Sequence, residues 1–226
     1  RHSHVYPDGD PLTGWTQTVY IRGTFTGTSV MTLENNTISG TDASFPVSVP
    51  SAVFPTVDSQ LIMRGNTISC AIGGSASCNA VQATDVARFI YDETNRITKG
   101  GFYWIVPVSD TAAAYSEVHV AYSTFDYHVY VELANGITLA HSTLQFRYNT
   151  VTGQTIKVQS TTTGGTEPII DGGGLSGSPR ANTLVISNNT IRGGSLTIYR
   201  IFINNANVEI SNNDVEVIAG LAMDFD

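Results

Sequence analysis

Charge is scarce in this chain, and basic charge is scarcest. Eleven Lys and Arg stand against 19 Asp and Glu, charged residues make up 13% of 226, and the net charge is −8. So few cations exclude the basic face that nucleic acid or an anionic membrane surface requires. Long apolar runs are also missing, and none approaches the roughly 18 residues of a membrane span, so no membrane insertion is expected. Cysteine occurs only as Cys70 and Cys78. Those two enclose a small loop of Ile, Gly, Ser and Ala. A disulfide in an oxidising compartment and a pair of reduced thiols both fit the spacing.

What is abundant is Gly, 21 in all, together with Thr, Ser and Asn. That composition describes a turn-rich β protein, neither helical nor disordered. With lysine almost absent, it also leads us to expect an extracellular or cell-surface location. The chain opens on Arg1 rather than Met and shows no signal peptide, which reads as a processed product or a piece of something longer.

One octet recurs through the sequence. Leu184-Val185-Ile186-Ser187-Asn188-Asn189-Thr190-Ile191 follows the grammar apolar, any, apolar, any, small or polar, Asn, Thr, apolar. Copies begin at Met31, Leu61, Leu144 and Val208, and a weaker one at Val118 has Ser123 in place of Asn. A degenerate copy at Glu93-Thr94-Asn95-Arg96-Ile97 keeps only the Asn and the apolar residue two positions after it. The sixth positions are Asn36, Asn66, Asn95, Ser123, Asn149, Asn189 and Asn213, with steps of 30, 29, 28, 26, 40 and 24. A period of that size marks a solenoid. Each copy holds a period-two strand that turns its first and third positions inward, followed by a polar corner. If each repeat is one coil, the sixth-position side chains stack. Asn carries donors and an acceptor, so stacked amides satisfy each other and the corner backbone away from water. Antiparallel sandwiches also use Asn at turns, but give no reason for one octet to recur.

The expected fold is therefore all-β: a right-handed parallel β-helix solenoid of about seven coils, each with three short strands, roughly 34 Å long at about 4.8 Å per coil. Residues 1–28 read as an N-terminal cap or partial coil, and 29–226 as the helix proper. The glycine-rich stretch at about 160–180 reads as an inserted loop. Between Asn79 and Glu93 the pattern fits either a short helix or a distorted strand. The C-terminal run Val215–Met223 continues the strand pattern with no polar capping helix after it.

The octets at Leu184–Ile191 and Val208–Val215 resemble the repeat of pectin-lyase-like right-handed parallel β-helix proteins, over about residues 30–217. Within that group the Asn-Asn-Thr-Ile style resembles the large repetitive surface proteins of trypanosomatids, the dispersed gene family. The resemblance implies a fold that serves lyases, hydrolases, tailspikes, adhesins and surface proteins alike. Polygalacturonases of this group carry Asn-Thr-Asp, Asp-Asp, Gly-His-Gly and Arg-Ile-Lys motifs. Here Asp-Asp and Gly-His-Gly are missing, and Arg96-Ile97-Thr98 and Arg200-Ile201-Phe202 keep two letters of the last. Glycoside hydrolysis needs two carboxylates at a set separation, and Glu34, Asp126, Glu209 and Asp214 fall on non-equivalent or distant coils. His2 and His4 sit at the terminus, and for His119, His128 and His141 the sequence alone does not place the nucleophile or carboxylate partner that a catalytic histidine needs.

No catalytic residue, cofactor or metal site is thus expected. Two sequons, at Asn35 and Asn188, occupy the same repeat position and permit N-glycosylation in a secreted chain. The tyrosines, among them Tyr20, Tyr103, Tyr122, Tyr127, Tyr130, Tyr148 and Tyr199, are too many for one core and suggest corner packing or an exposed aromatic ladder for carbohydrate. The functional expectation is a non-enzymatic structural or adhesive rod. It would associate with its own copies end to end, or belong to a longer fibre. The alternatives are a polysaccharide lyase or hydrolase, or a carbohydrate-binding tailspike-like module.

Overall fold

A computed structural model describes residues 4–5, 17–21, 24–25, 27–40, 45–49, 58–70, 78–84, 86, 88–105, 117–133, 138–140, 143–160, 168–171, 183–204, 206–217 and 223–225. Two short strands come first, β1 (His4–Val5) and β2 (Gln17–Tyr20). A three-strand unit then recurs. It runs β3 (Val30–Glu34), β4 (Thr37–Ser39), β5 (Phe45–Val49); β6 (Gln60–Arg64), β7 (Thr67–Ser69), β8 (Asn79–Thr84); and β9 (Arg88–Asp92), β10 (Arg96–Thr98), β11 (Gly101–Ile105). The next units gain a fourth strand: β12 (Glu117–Ala121), β13 (Thr124–Phe125), β14 (Val129–Leu133), β15 (Thr138–Ala140); then β16 (Thr143–Arg147), β17 (Thr150–Thr152), β18 (Ile156–Ser160), β19 (Ile169–Asp171). Last come β20 (Thr183–Ser187), β21 (Thr190–Arg192), β22 (Leu196–Tyr199), β23 (Phe202–Asn204), and β24 (Asn207–Ser211), β25 (Asp214–Glu216), β26 (Met223–Phe225).

Equivalent strands of successive units pair in parallel, giving an all-β parallel solenoid. The octet strands make one sheet, β3-β6-β9-β12-β16-β20-β24; the strands after the corner make a second, from β1 to β25; the third runs from β2 to β26. A small fourth sheet joins β15, β19 and β23. The stretch read as a loop at about 160–180 therefore holds a strand in register with its neighbours, Ile169 opposite Thr138 and Phe202. Residues 161–167 and 172–182 lie outside the described residues. In the N-terminal segment, β1 extends the second sheet and β2 the third, but no described strand pairs with the free edge of β3.

Register explains why the octet is conserved within the chain. Leu61, Phe89, Val118, Leu144 and Leu184 follow one another in adjacent strands, as do Met63, Tyr91, Val120, Phe146 and Ile186. Each of these side chains is buried. Past the corner, Ile38, Ile68, Ile97, Phe125, Val151 and Ile191 form a third buried column. Burying one such side chain contributes about 1.5–3 kcal/mol. A one-residue slip would move a whole column to the outer face, so pattern and register enforce each other. Outward positions are mostly half-exposed, except on β20, where Val185 and Ser187 are buried as well.

Between Asn79 and Glu93 the chain forms β8 and β9 rather than a helix. In the ordinary coil one residue separates the octet strand from the ladder Asn. After β9 there are two, Glu93 and Thr94, both in the left-handed region at φ 53° and 65°. That extra residue is why Phe89-Ile90-Tyr91-Asp92 is not recognisable as an octet.

The middle of the core is aromatic. Phe89 and Phe102 stack with centroids 5.6 Å apart, Tyr91 lies 5.0 Å from Phe102 and 5.8 Å from Phe125. Tyr91 is fully buried and its phenol oxygen has no hydrogen-bond partner among the described residues. Burial pushes its pKa far above the usual phenol range. An unsatisfied buried hydroxyl costs about 1–3 kcal/mol. Tyr91→Phe keeps the ring and removes the orphan. We expect thermal and denaturant unfolding of that variant to show stability equal to or above the wild type, by up to about 2 kcal/mol; a loss of more than 1 kcal/mol would reveal a partner for the hydroxyl.

Candidate functional site, an asparagine ladder with two open ends

The corner that ends each octet strand is built from two residues with different tasks. The fifth position takes the left-handed conformation: Asn35, Gly65, Tyr122, Tyr148, Asn188 and Asn212 have φ of 54°, 59°, 48°, 56°, 56° and 53°. Gly and Asn are suited to it; a larger side chain costs roughly 1–2 kcal/mol there. Tyr122 and Tyr148 offset part of that cost by stacking on each other, 4.9 Å apart and 4° from parallel, a contact contributing about 0.5–1.5 kcal/mol. They are 56% and 49% exposed, and of the seven tyrosines considered they are the pair whose rings stack across adjacent coils.

The sixth position carries the ladder. Asn66 donates from its backbone N–H and from Nδ2 to Asn95 Oδ1, each at 3.0 Å, and its Nδ2 also donates to the Leu33 carbonyl at 2.8 Å. Asn36 donates to Asn66 Oδ1 in the same two ways. On the far side, Asn149 donates twice to Asn189 Oδ1 and Asn189 twice to Asn213 Oδ1, while their Nδ2 groups reach the Val120 and Phe146 carbonyls. Asn66, Asn95, Asn189 and Asn213 thus each accept two hydrogens from the coil before and donate back to a carbonyl of that coil. Asn66, Asn95, Asn149 and Asn189 are at most 2% exposed, so this exchange replaces water.

Ser123 interrupts the ladder. Its backbone N–H donates to Asn149 Oδ1 at 3.2 Å, but its hydroxyl turns to the Ala121 carbonyl of its own coil. Asn95 consequently spends its side-chain hydrogens on the Met63 and Asp92 carbonyls. The ladder is two runs, Asn36-Asn66-Asn95 and Asn149-Asn189-Asn213, joined through Ser123.

Both ends of the ladder are incomplete among the described residues. Asn36 Oδ1 receives no hydrogen, where the Oδ1 of every later ladder Asn receives at least one. Asn213 donates from Nδ2 to the Ile186 carbonyl at 2.7 Å, and its backbone N–H has no acceptor. The neighbouring apolar positions are equally unfinished. Met31 and Leu33 at one end and Ile210 and Val215 at the other are only partly buried, and Val208 is 41% exposed.

The outer faces hold the remaining polar groups. On the third sheet, Tyr103 donates to Glu132 Oε2 and Gln159 donates to Glu132 Oε1 at 2.6 Å. Burial and that carboxylate push the Tyr103 pKa up, and burial with Tyr127 and Glu132 raises Tyr130. Lys157 lies 5.7 Å over the Tyr199 ring. On the octet sheet, Glu117 pairs with Arg88 and His119, each at 2.9 Å. Of the four acidic residues considered from sequence, Glu209 is 3.9 Å from Arg147 and Asp214 binds Arg192, while Glu34 stands at the opposite end. They do not gather. Nor do three His, Cys, Asp or Glu side chains gather anywhere among the described residues. His2 and His141 lie outside those residues, and of His4 only the backbone is described.

Cys70 and Cys78 are joined as a disulfide, with Cα atoms 6.4 Å apart. Asn35 of the first sequon is exposed at its corner, and Asn188 of the second is half-buried.

Sequence reading missed one buried cluster. His128, 4% exposed, stacks on Tyr130 at 4.0 Å and reaches across the intervening coil to Asn79 Oδ1 at 3.0 Å. Because Oδ1 only accepts, His128 Nε2 carries the proton. The reach requires Gly101 between them, since a Cβ there would stand 2.3 Å from Nε2. Three residues spread over three coils leave no local signature.

Burial pushes the His128 pKa down to about 4 from an ordinary 6.5. The unfolded chain therefore binds the proton first as pH falls. Stability is fully present above pH 6.5 and is lost as pH drops toward 4, by on the order of 3 kcal/mol. Denaturant titrations from pH 7 to 4 should show this loss in the wild type and a much flatter profile in His128→Gln; identical profiles would contradict it. For the ladder, Asn149→Ala should cost about 1–3 kcal/mol by stranding the Ser123 N–H and removing one of the two hydrogens that Asn189 Oδ1 accepts, and Ser123→Asn should gain about 1 kcal/mol by closing the interruption. Chemical denaturation of both variants checks the signs, and an unchanged Asn149→Ala midpoint would remove the ladder from the stability account.

Family models, curated proteins and solved structures all lack a match to this chain, so what its sequence and geometry establish together is a parallel β-solenoid.

Proposed function

We propose that this protein is a structural or adhesive rod of an extracellular surface, built to associate end to end rather than to catalyse. The observation that carries the reading is the stack itself: every coil presents the next with the same parallel register on continuous apolar columns and a buried ladder, so a further coil, of another copy or of a longer fibre, adds without new geometry. The disulfide, the exposed sequon corner at Asn35 and the low charge support an extracellular location. The likeness of its octets to the repeat of pectin-lyase-like proteins, and to repetitive trypanosomatid surface proteins, fits the same role.

A second reading draws on one observation. The outer face of the third sheet sets Tyr103, Tyr130 and Tyr199 among Glu132, Lys157 and Gln159, the mixture of ring surface and hydrogen-bonding groups that suits a neutral or acidic saccharide. A rod could carry such contacts along its side.

Light scattering and electron microscopy from nanomolar to micromolar concentration test the first reading. Particles that lengthen in one dimension as concentration rises are expected. A monodisperse particle of one chain's mass throughout would overturn it.

A further inference from the structure

Tyr122 and Tyr148 are large side chains in a corner column that otherwise holds Asn35, Gly65, Asn188 and Asn212, apart from the enlarged corner at Glu93 and Thr94. The whole column is left-handed, a conformation that Gly and Asn adopt readily and Tyr does not. One stacking contact is set against two strained backbones, so stability alone does not account for the pair. Its placement is specific as well. Both rings stand on the outside of the corner, about half exposed, parallel to within 4° and with centroids 4.9 Å apart. The backbone beneath them is held: Tyr122 donates its N–H to the Arg147 carbonyl and Tyr148 donates to the Ser187 carbonyl, at 3.1 and 3.2 Å. The two rings span the step from β12 to β16, where the Ser123 hydroxyl turns to its own coil and the side-chain exchange of the ladder is missing. Among the described residues this is the one place where two tyrosine rings meet. Tyr91 is sealed in the core, Tyr103 is bound to Glu132, and Tyr199 lies against the Lys157 and Arg200 cations.

We propose that Tyr122 and Tyr148 form a site of oxidative cross-linking, at which a peroxidase-type oxidant joins the two phenols as dityrosine. An exposed phenol gives such an oxidant one electron and its hydroxyl proton, and the radical left behind carries spin on the ring carbons ortho to the oxygen. When both rings are oxidised in contact, one ortho carbon of each combines into a new C–C bond. Each of those carbons then passes its hydrogen, as a proton, back to the phenol oxygen. Two electrons and two protons leave in all, and they reduce one hydrogen peroxide to two waters. Parallel rings at this separation are offset, so the edge of one lies over the other. Rotation about side-chain bonds brings the ortho carbons together while the corner backbone keeps its hydrogen bonds. The product is a covalent staple between successive coils, placed where the ladder itself is thinnest. It forms within one chain, so it stands or falls independently of end-to-end association.

The test treats the dilute full-length chain with a haem peroxidase and limiting hydrogen peroxide, then reads intact mass, dityrosine fluorescence and the linked peptides by tandem mass spectrometry. The expected product has the mass of one chain less two hydrogens, emits as dityrosine, and yields a linked peptide pair joined at positions 122 and 148. Tyr122→Phe and Tyr148→Phe keep the ring and the stack, and each should lose the product altogether. Tyr20→Phe, at an exposed tyrosine with no ring partner among the described residues, should form it in full. A product that maps to other tyrosines, that persists in Tyr122→Phe, or that joins only separate chains would overturn the site. So would a chain that stays unmodified under conditions that couple free tyrosine.

Discussion

A polar group that is buried at every turn must be satisfied at every turn, and the corner after each octet strand is where this chain meets that requirement. The turn leaves carbonyls and N–H groups pointing along the solenoid axis, away from water. An Asn side chain reaches both, and it does so by borrowing from the coil behind and lending to the coil ahead. The amide-to-amide exchange is therefore directional, each Oδ1 accepting from the coil behind, while one Nδ2 hydrogen returns to a carbonyl of that coil. The residue on each side is constrained as well. The one before must accept a left-handed backbone, and the one after must begin the next strand in register.

Departures from the rule show its strength. Asn95 keeps its buried place although its corner carries an additional residue; Glu93 and Thr94 absorb the extra length in left-handed conformations that neither side chain favours. Tyr122 and Tyr148 take the same unfavourable conformation and recover part of the cost by stacking. Where Ser123 replaces the amide, its backbone still donates to Asn149, and only the side-chain exchange is lost. Beneath this corner the apolar columns supply most of the stabilisation, while the ladder fixes which coil sits on which.

The octet was legible because two physical demands coincide in it. Period-two burial selects apolar residues at the first, third and eighth positions, and the corner selects Asn at the sixth, so all but one copy stand out by inspection. The strand β9 was not legible, since one inserted residue breaks the spacing while leaving its Phe89 and Tyr91 in the buried columns. The fifth position looked merely small or polar; its left-handed backbone appears only in three dimensions, and Tyr at 122 and 148 disguises it. The contact between His128 and Asn79 spans 49 residues and skips a coil, so no local pattern records it. β19 was hidden in a glycine-rich stretch that reads as a loop, although Ile169 and Ile170 sit at strand positions.

The most direct measurement is amide hydrogen exchange resolved by residue at neutral pH. In the ladder account, the backbone amides of Asn66, Asn149 and Asn189 donate to a neighbouring side chain and are buried, so they exchange as slowly as the strand amides around them, whereas Asn213, at the open end, exchanges much faster. Equal, fast exchange at all four positions would mean that the corner amides see water, and that the ladder does not hold the coils in place.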